Sequence, residues 1–117
     1  MIGSRMHQQT VMVRVPTGEY ETDSAGVQRP ALAERPWVGC NVQPASTSED
    51  ASGATVLVTT RWRISGPLEP WITDDAEVQF AMAPDPARWY SIDGTPGHYT
   101  SGVFDHTELL VVTTKGA

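Results

Sequence analysis

Cysteine occurs once in this 117-residue chain, phenylalanine twice, and lysine plus arginine eight times against fourteen acids. Each shortage excludes something. A single Cys40 forms no internal disulfide, so no disulfide framework holds the fold. Its place inside an apolar run predicts a buried, unreactive thiol and not a nucleophile. The net charge of −6 excludes a protein that grips nucleic acid by neutralising phosphates, which requires gathered cations. No uncharged apolar run approaches the roughly 20 residues that span a bilayer, and the opening MIGSRMHQQTVMV lacks the apolar centre of a signal peptide. A soluble protein is expected, with no membrane contact and residues 1–8 as a flexible N-terminus.

Proline (9) and glycine (10) are plentiful, which suits short strands and turns better than a helical bundle. The length fits one domain with one modest core. Gln9 to Val15 alternates, with Val11, Val13 and Val15 on one face, and Pro16 stops it. Residues 17–36 hold acids, glycines and prolines without periodicity and read as a long excursion with one helical turn near Ala31 to Glu34. From Trp37 to Val42, alternation places Val38, Cys40 and Val42 on one face, with Pro44 as the stop. Val56 to Ile64 alternates next, carrying Val58, Thr60, Trp62 and Ile64 on one side and Leu57, Thr59, Arg61 and Arg63 on the other. These two runs pair as a hairpin with a long tip over residues 44–55. Glu77 to Met82 is a strand with Val78, Phe80 and Met82 inward. APDP at 83–86 is a loop, Ala87 to Ile92 the return strand, and Asp93-Gly94 a turn that tolerates positive φ. Glu108 to Lys115 is apolar on both faces, as in a strand covered on two sides or lying at a subunit interface. The expected architecture is all-β: one small barrel spanning residues 1–117, with about six mostly antiparallel strands and long loops.

No catalytic set assembles from these residues, and no cofactor or metal is called for. His7, His98 and His106 lack a spacing that puts two ligands on one element; only convergence of His98 and His106 with Asp105 would make a metal site, and ordinary loop histidines are expected instead. Asp74, Asp75 and Glu77 have no polar partner for acid/base work and read as solvated acids. Ser46, Ser48 and Ser52 lack a nucleophile elbow. Trp37, Trp62, Trp71 and Trp89, with Tyr90 and Tyr99, could form a stacking platform for sugars or single strands. Trp62 shares a face with Ile64, which favours a core role, and Trp71 in GPLEPWIT is the best candidate for an exposed aromatic.

Two segments carry a resemblance. VQPASTSED at 42–50 and YSIDGTPG at 90–97, in this order of elements, resemble the head-to-tail stopper (head closure, head-tail joining) proteins of long-tailed bacteriophages, particularly those of actinobacteria. The likeness covers most of residues 9–115, and GPLEPWITDD departs from it. It implies a small β-barrel that assembles as a homo-oligomeric ring, a hexamer or alternatively a dodecamer, in the virion neck. The implied partners are an adaptor ring under the portal and a tail terminator ring, with DNA passing only transiently. Assembly would take place in the host cytoplasm. On this likeness Ser46, Thr47, Ser48, Glu49 and Asp50 become a channel loop. Glu19, Tyr20, Arg29, Trp71, Arg61, Arg63, Leu110 and Val112 become contacts with neighbouring copies or rings. The alternatives are a tail terminator or other neck completion protein, and a carbohydrate-binding β-sandwich. An enzyme is not expected.

Overall fold

A strand with apolar residues on one face needs a second layer over that face, and this chain supplies it by curling one sheet upon itself. The computed structural model describes residues 8–52, 55–100 and 102–116; of the expected flexible N-terminus at 1–8, residues 1–7, His7 among them, lie outside them. Seven strands form in chain order: β1 (Gln9–Thr22), β2 (Gln28–Ser52), β3 (Thr55–Gly66), β4 (Glu77–Gln79), β5 (Tyr90–Ser91), β6 (Gly97–Tyr99) and β7 (His106–Gly116). All pairings are antiparallel, in the order β5-β4-β1-β2-β3-β7-β6. The all-β expectation holds, while closure into a barrel does not. The two flanks of the sheet meet only through an isolated bridge, Ile92 to Val111, and a hydrogen bond from Asp93 N to Leu110 O of 2.7 Å. Closure fails because the flanking strands are too short to make a ladder. Pro84 and Pro86 lack donors in the loop that follows β4, and the expected strand from Ala87 to Ile92 shrinks to Tyr90–Ser91.

Strand β2 is 25 residues long and serves two partners in turn. Up to Cys40 it pairs with β1, and from Asn41 it pairs on its other side with β3. The register slips at the change, because Gln9 faces Cys40 while Val11 faces Trp37. Two residues of β2, Val38 and Gly39, therefore stand against Thr10 alone, and Gly39 takes φ +83°. Such a bulge bends the strand and breaks strict alternation. Trp37 and Cys40, three residues apart, consequently both turn inward, and Val38 is turned out, 63% exposed. The alternation rule had assigned Val38 to the core, and the bulge overrides it.

The core gathers Val11 and Val13 of β1, Trp37, Cys40 and Val42 of β2, Trp62 and Ile64 of β3, Val78 of β4, and Leu109 and Val111 of β7. Ile72, Phe80 and Ile92 join them from the connections. Phe80 meets Trp62 edge to face, with centroids 5.4 Å apart. Buried indoles need partners for their N–H groups. Trp62 Nε1 donates to Thr113 Oγ1 at 2.9 Å, and Trp37 Nε1 to Pro67 O at 2.9 Å. Met82, expected inward, is exposed, because the chain turns between Phe80 and Ala83 (Ala83 N to Phe80 O, 3.2 Å).

Both expected loops prove to be strands. Residues 17–36 contain no helical turn at 31–34: Leu32, Ala33 and Glu34 pair with Pro16, Val15 and Arg14. They belong to a hairpin whose turn is held by Asp23, which accepts from Ala25 N and Val27 N through Oδ1 at 2.9 Å each. The hairpin ladder imposes extended backbone on residues whose own pattern is indifferent. Likewise, β2 runs through Pro44 with a register shift before Ser46 and continues as a ladder with β3 to Ser52. The first hairpin end (arm 1) and the second (arm 2, with β7 as its third strand) reach beyond the core. The radius of gyration is accordingly 16.4 Å, against about 13 Å for a compact domain of this length.

Gly66 lies where β3 passes the bend of β2. A Cβ built there would sit 2.9 Å from both Cys40 Sγ and Trp37 Cε2, closer than packed atoms approach. Gly66→Ala should therefore lower stability by about 1–3 kcal/mol, as overpacking does. Urea unfolding followed by tryptophan fluorescence measures it, and an unchanged midpoint would contradict the close approach.

Candidate docking surfaces

The side chains singled out in the sequence fall on three separate surfaces. On arm 2, Ser46, Thr47, Ser48 and Glu49 are exposed on β2 and face Arg61, Thr60, Thr59 and Val58 of β3. Asp50 pairs with Leu57 through its backbone, and its side chain lies outside the described residues, as do residues 53 and 54. The expected channel loop is thus a hairpin strand with fixed register. Ser46 and Ser48 share one face with Arg61 and Thr59. Thr47 shares the other with Thr60 and Thr113, and Glu49 with Val58 and Lys115.

Arg61 and Arg63 project from β3 beside Val112 and Leu110 of β7. Their acids come from this chain: Arg61 Nη2 lies 3.3 Å from Asp93 Oδ2, and Arg63 Nε 2.9 Å from Glu108 Oε1. Both intramolecular pairs are exposed and worth under about 1 kcal/mol each. Val112 is 38% exposed and Leu110 half-buried, while Leu109, Val111 and Thr113 fill the inner face. The last strand therefore does leave apolar surface outside.

Arm 1 carries Glu19, Tyr20 and Arg29. Tyr20 is 69% exposed, and Arg29 reaches Asp23 at the turn (3.3 Å). Trp71 forms the third surface and is less free than expected. It packs on the core edge, donates from Nε1 to Glu69 Oε2 at 2.6 Å, and lies under Arg35, 4.9 Å from the ring centroid. Trp89 is likewise covered by Arg14 at 4.3 Å, whose Nε also bonds Glu77 Oε1 at 2.8 Å. With Trp37 and Trp62 buried, the four indoles face no common platform.

An exposed pair escaped the sequence reading. Val103 and Phe104, at the turn between β6 and β7, are 80% and 77% exposed. Gly102, at φ +91°, donates its N–H to Asp105 Oδ1 and fixes that turn. The signal was there in GVFD, two apolar residues between a glycine and an aspartate, but short apolar pairs in loops carry no periodicity.

The remaining polar groups are absorbed by structure. His98 bonds Thr107 Oγ1 at 2.8 Å through Nδ1 and Ile72 O at 2.9 Å through Nε2. His106 stacks on Tyr99, 4.7 Å between centroids, and Tyr99 follows His98 along β6, so the two imidazoles face opposite sides of the strand. An open concavity of about 410 Å³ lies between Gly39, Asn41, Pro67, Asp105 and Glu108. Its acids are committed, Asp105 to Gly102 N and Glu108 to Arg63. Among the described residues, no group of three His, Cys, Asp or Glu side chains could hold a metal.

No protein-family model matches this chain, and no curated protein is a significant relative.

Cys40 is fully buried, with its Sγ directed at Trp37 O (3.2 Å). Burial pushes its thiol from the ordinary 9.0 up to about 12, offset by a hydrogen bond from the Val11 backbone and reinforced by the charge of Glu69. The neutral thiol is thus the folded form, while the unfolded chain ionises near its ordinary value. Stability from this group is complete below about pH 9 and falls as pH rises from there toward 12. A thiol reagent should modify the native protein only at the rate of unfolding, and Cys40→Ala should flatten the alkaline loss of stability. Rapid labelling of folded protein would contradict this.

Proposed function

We propose that this protein is a structural component of the neck of a long-tailed phage, a head-to-tail stopper. On this reading it forms a ring between the adaptor ring under the portal and the tail terminator. The ring closes the head after DNA packaging and offers the surface on which the tail docks. The observation that supports it most is the pair of β-arms. Neither has a core of its own, and a domain that extends polar hairpins beyond its core has surfaces suited to completion by neighbours. The resemblance in VQPASTSED falls on the β2 strand leading to the tip of arm 2, and YSIDGTPG falls on the β5–β6 connection.

On this reading arm 2, and not a loose loop, enters the channel, with Ser46, Thr47, Ser48, Glu49 and Asp50 toward its tip. Small polar side chains bury little apolar surface there and are displaced at low cost. A ring of six copies at −6 each would hold 36 formal negative charges. An acidic bore repels phosphate and lets a duplex slide without sticking. Arm 1 with Tyr20, the Trp71 surface and the Val112 edge would meet adjoining copies and rings. Arg61 and Arg63, exposed and held only in weak intramolecular pairs, stay on that list of contacts.

Disrupting the gene in its phage should leave finished tails of uniform length beside unjoined heads that lose DNA, as seen by electron microscopy of the lysate. Tails of uncontrolled length would assign the protein to the terminator position instead, and normal joined virions would refute a neck role. Within the intact protein, Glu49→Gln with Asp50→Asn should preserve the fold and alter DNA retention by filled heads. Unchanged head stability and infectivity would remove arm 2 from the channel. The sugar-binding alternative predicts a tryptophan fluorescence shift with glycans, which the covered indoles argue against.

A further inference from the structure

Strand β2 leaves half of each edge without a ladder. Its first half pairs with β1 and its second half, on the opposite side, with β3, so Asn41–Ser52 has a second edge that no strand occupies among the described residues. Such an edge is a template for another strand unless the sequence blocks it. The corresponding edge of the first half is blocked. Pro30 and Pro36 sit in the ladder opposite Tyr20 and Met12, and a proline is accommodated in a ladder where its nitrogen points away from the partner. Two of the outward donor positions on that side are therefore empty. On the second half Pro44 empties one outward position, which confines the open edge to the residues past it, and along Ala45 to Ser52 there is neither proline nor lysine.

The ladder also tells which residues face out. Pro44 has no N–H to give Trp62, which makes that pair the non-hydrogen-bonded kind, and the two kinds alternate along β3. Thr60 and Val58 therefore bond away from β2, and their partners Thr47 and Glu49 direct their N–H and C=O groups to the open edge. The other free edges are poor partners. β5 and β6 have two and three residues, β7 is unpaired on its outer side only over Val112–Gly116, where Lys115 guards it, and β1 beyond Val15 begins with Pro16 and slips register before Tyr20.

We infer that the open edge of arm 2 pairs with the same edge of a second copy of this chain, antiparallel across a two-fold axis, making one continuous six-stranded sheet from two arms. An isologous contact is self-complementary by symmetry, and this edge is the one long unblocked edge among the described residues. Charge and the bulge together select the register. If Ser48 faces Ser48 of the second copy, Thr47 faces Glu49, Ser46 faces Asp50, and no carboxylate opposes another. A shift of one residue on each strand toward the tip would set Glu49 against Glu49, which like-charge repulsion disfavours, and the opposite shift would run the pairing into the irregularity at Ala45 and the missing donor of Pro44. The inference stands apart from the neck reading: a cyclic ring is closed by heterologous contacts, so this isologous pair would belong to the free protein and not to the ring.

In this register Ser48 and its mate form a non-hydrogen-bonded pair, whose Cα atoms lie about 4.5 Å apart, within disulfide reach. The full-length Ser48→Cys variant should therefore cross-link to a covalent dimer under mild oxidation, and Ser46→Cys should not. The buried Cys40 supplies little background. In sedimentation velocity the unmodified protein should be a dimer. Thr47→Pro or Glu49→Pro, each removing an outward donor, should be monomeric with unchanged circular dichroism. Ser48→Pro, which breaks the inner ladder to β3, should instead lower the melting temperature. Dimers that survive both outward proline variants, or a protein monomeric at every concentration with no Ser48→Cys cross-link, would overturn the inference. A monomer that dimerises only after removal of residues 1–7 would assign the edge to the chain's own N-terminus and overturn it equally.

Discussion

The packing of Gly66 against Trp37 and Cys40 at the bend of β2 is the constraint on which the rest of the fold depends. A straight strand of 25 residues would run roughly 80 Å at about 3.3 Å per residue, far beyond the 49 Å longest extent of the molecule. The bulge at Val38 and Gly39 bends it, and the absence of a side chain at Gly66 lets β3 come close enough to seal the bend. With that contact made, β2 changes partner from β1 to β3 and the sheet curls. The valines of β1 then face Leu109 and Val111 of β7 across one core.

The same bend creates the arms. A strand that pairs on one side and then on the other must leave two half-edges behind, and each half continues past the core as a hairpin. Arm 1 is guarded by prolines, a bulge at Gly18 and its acids, while arm 2 past the register shift at Pro44 is polar and open. A domain of this length has too little apolar surface to cover both arms by itself, which is why its radius of gyration exceeds that of a compact chain. His98, His106, Asp23, Asp105, Glu108 and the indoles are occupied with holding turns and covering the sheet.

Much of this was legible residue by residue. Alternation in β1 and β3 placed Val11, Val13, Trp62 and Ile64 correctly in the core, the apolar run of β7 was recognised, and the Asp93-Gly94 turn was read from its residue types. The failures have physical causes. Residues 17–36 and 44–49 look like loops because both their faces meet water, so no hydrophobic alternation marks them; backbone pairing makes strands of most of them. Val38 was misplaced because a bulge adds a residue and reverses the pattern. The pairing of Arg61 with Asp93 and of Arg63 with Glu108 joins residues 32 and 45 positions apart, a distance over which local pattern carries no information.

Composition and local periodicity determined that this chain is all-β, with one small core, a thiol without partner and an acidic surface, because these follow from side-chain chemistry and a period of two. The tertiary structure alone decided that the sheet stays open, that the supposed loops are arms, and which edge of β2 is free. Those outcomes depend on which strand lies beside which, and strand neighbours are chosen by packing at one bend and not by the sequence of either arm.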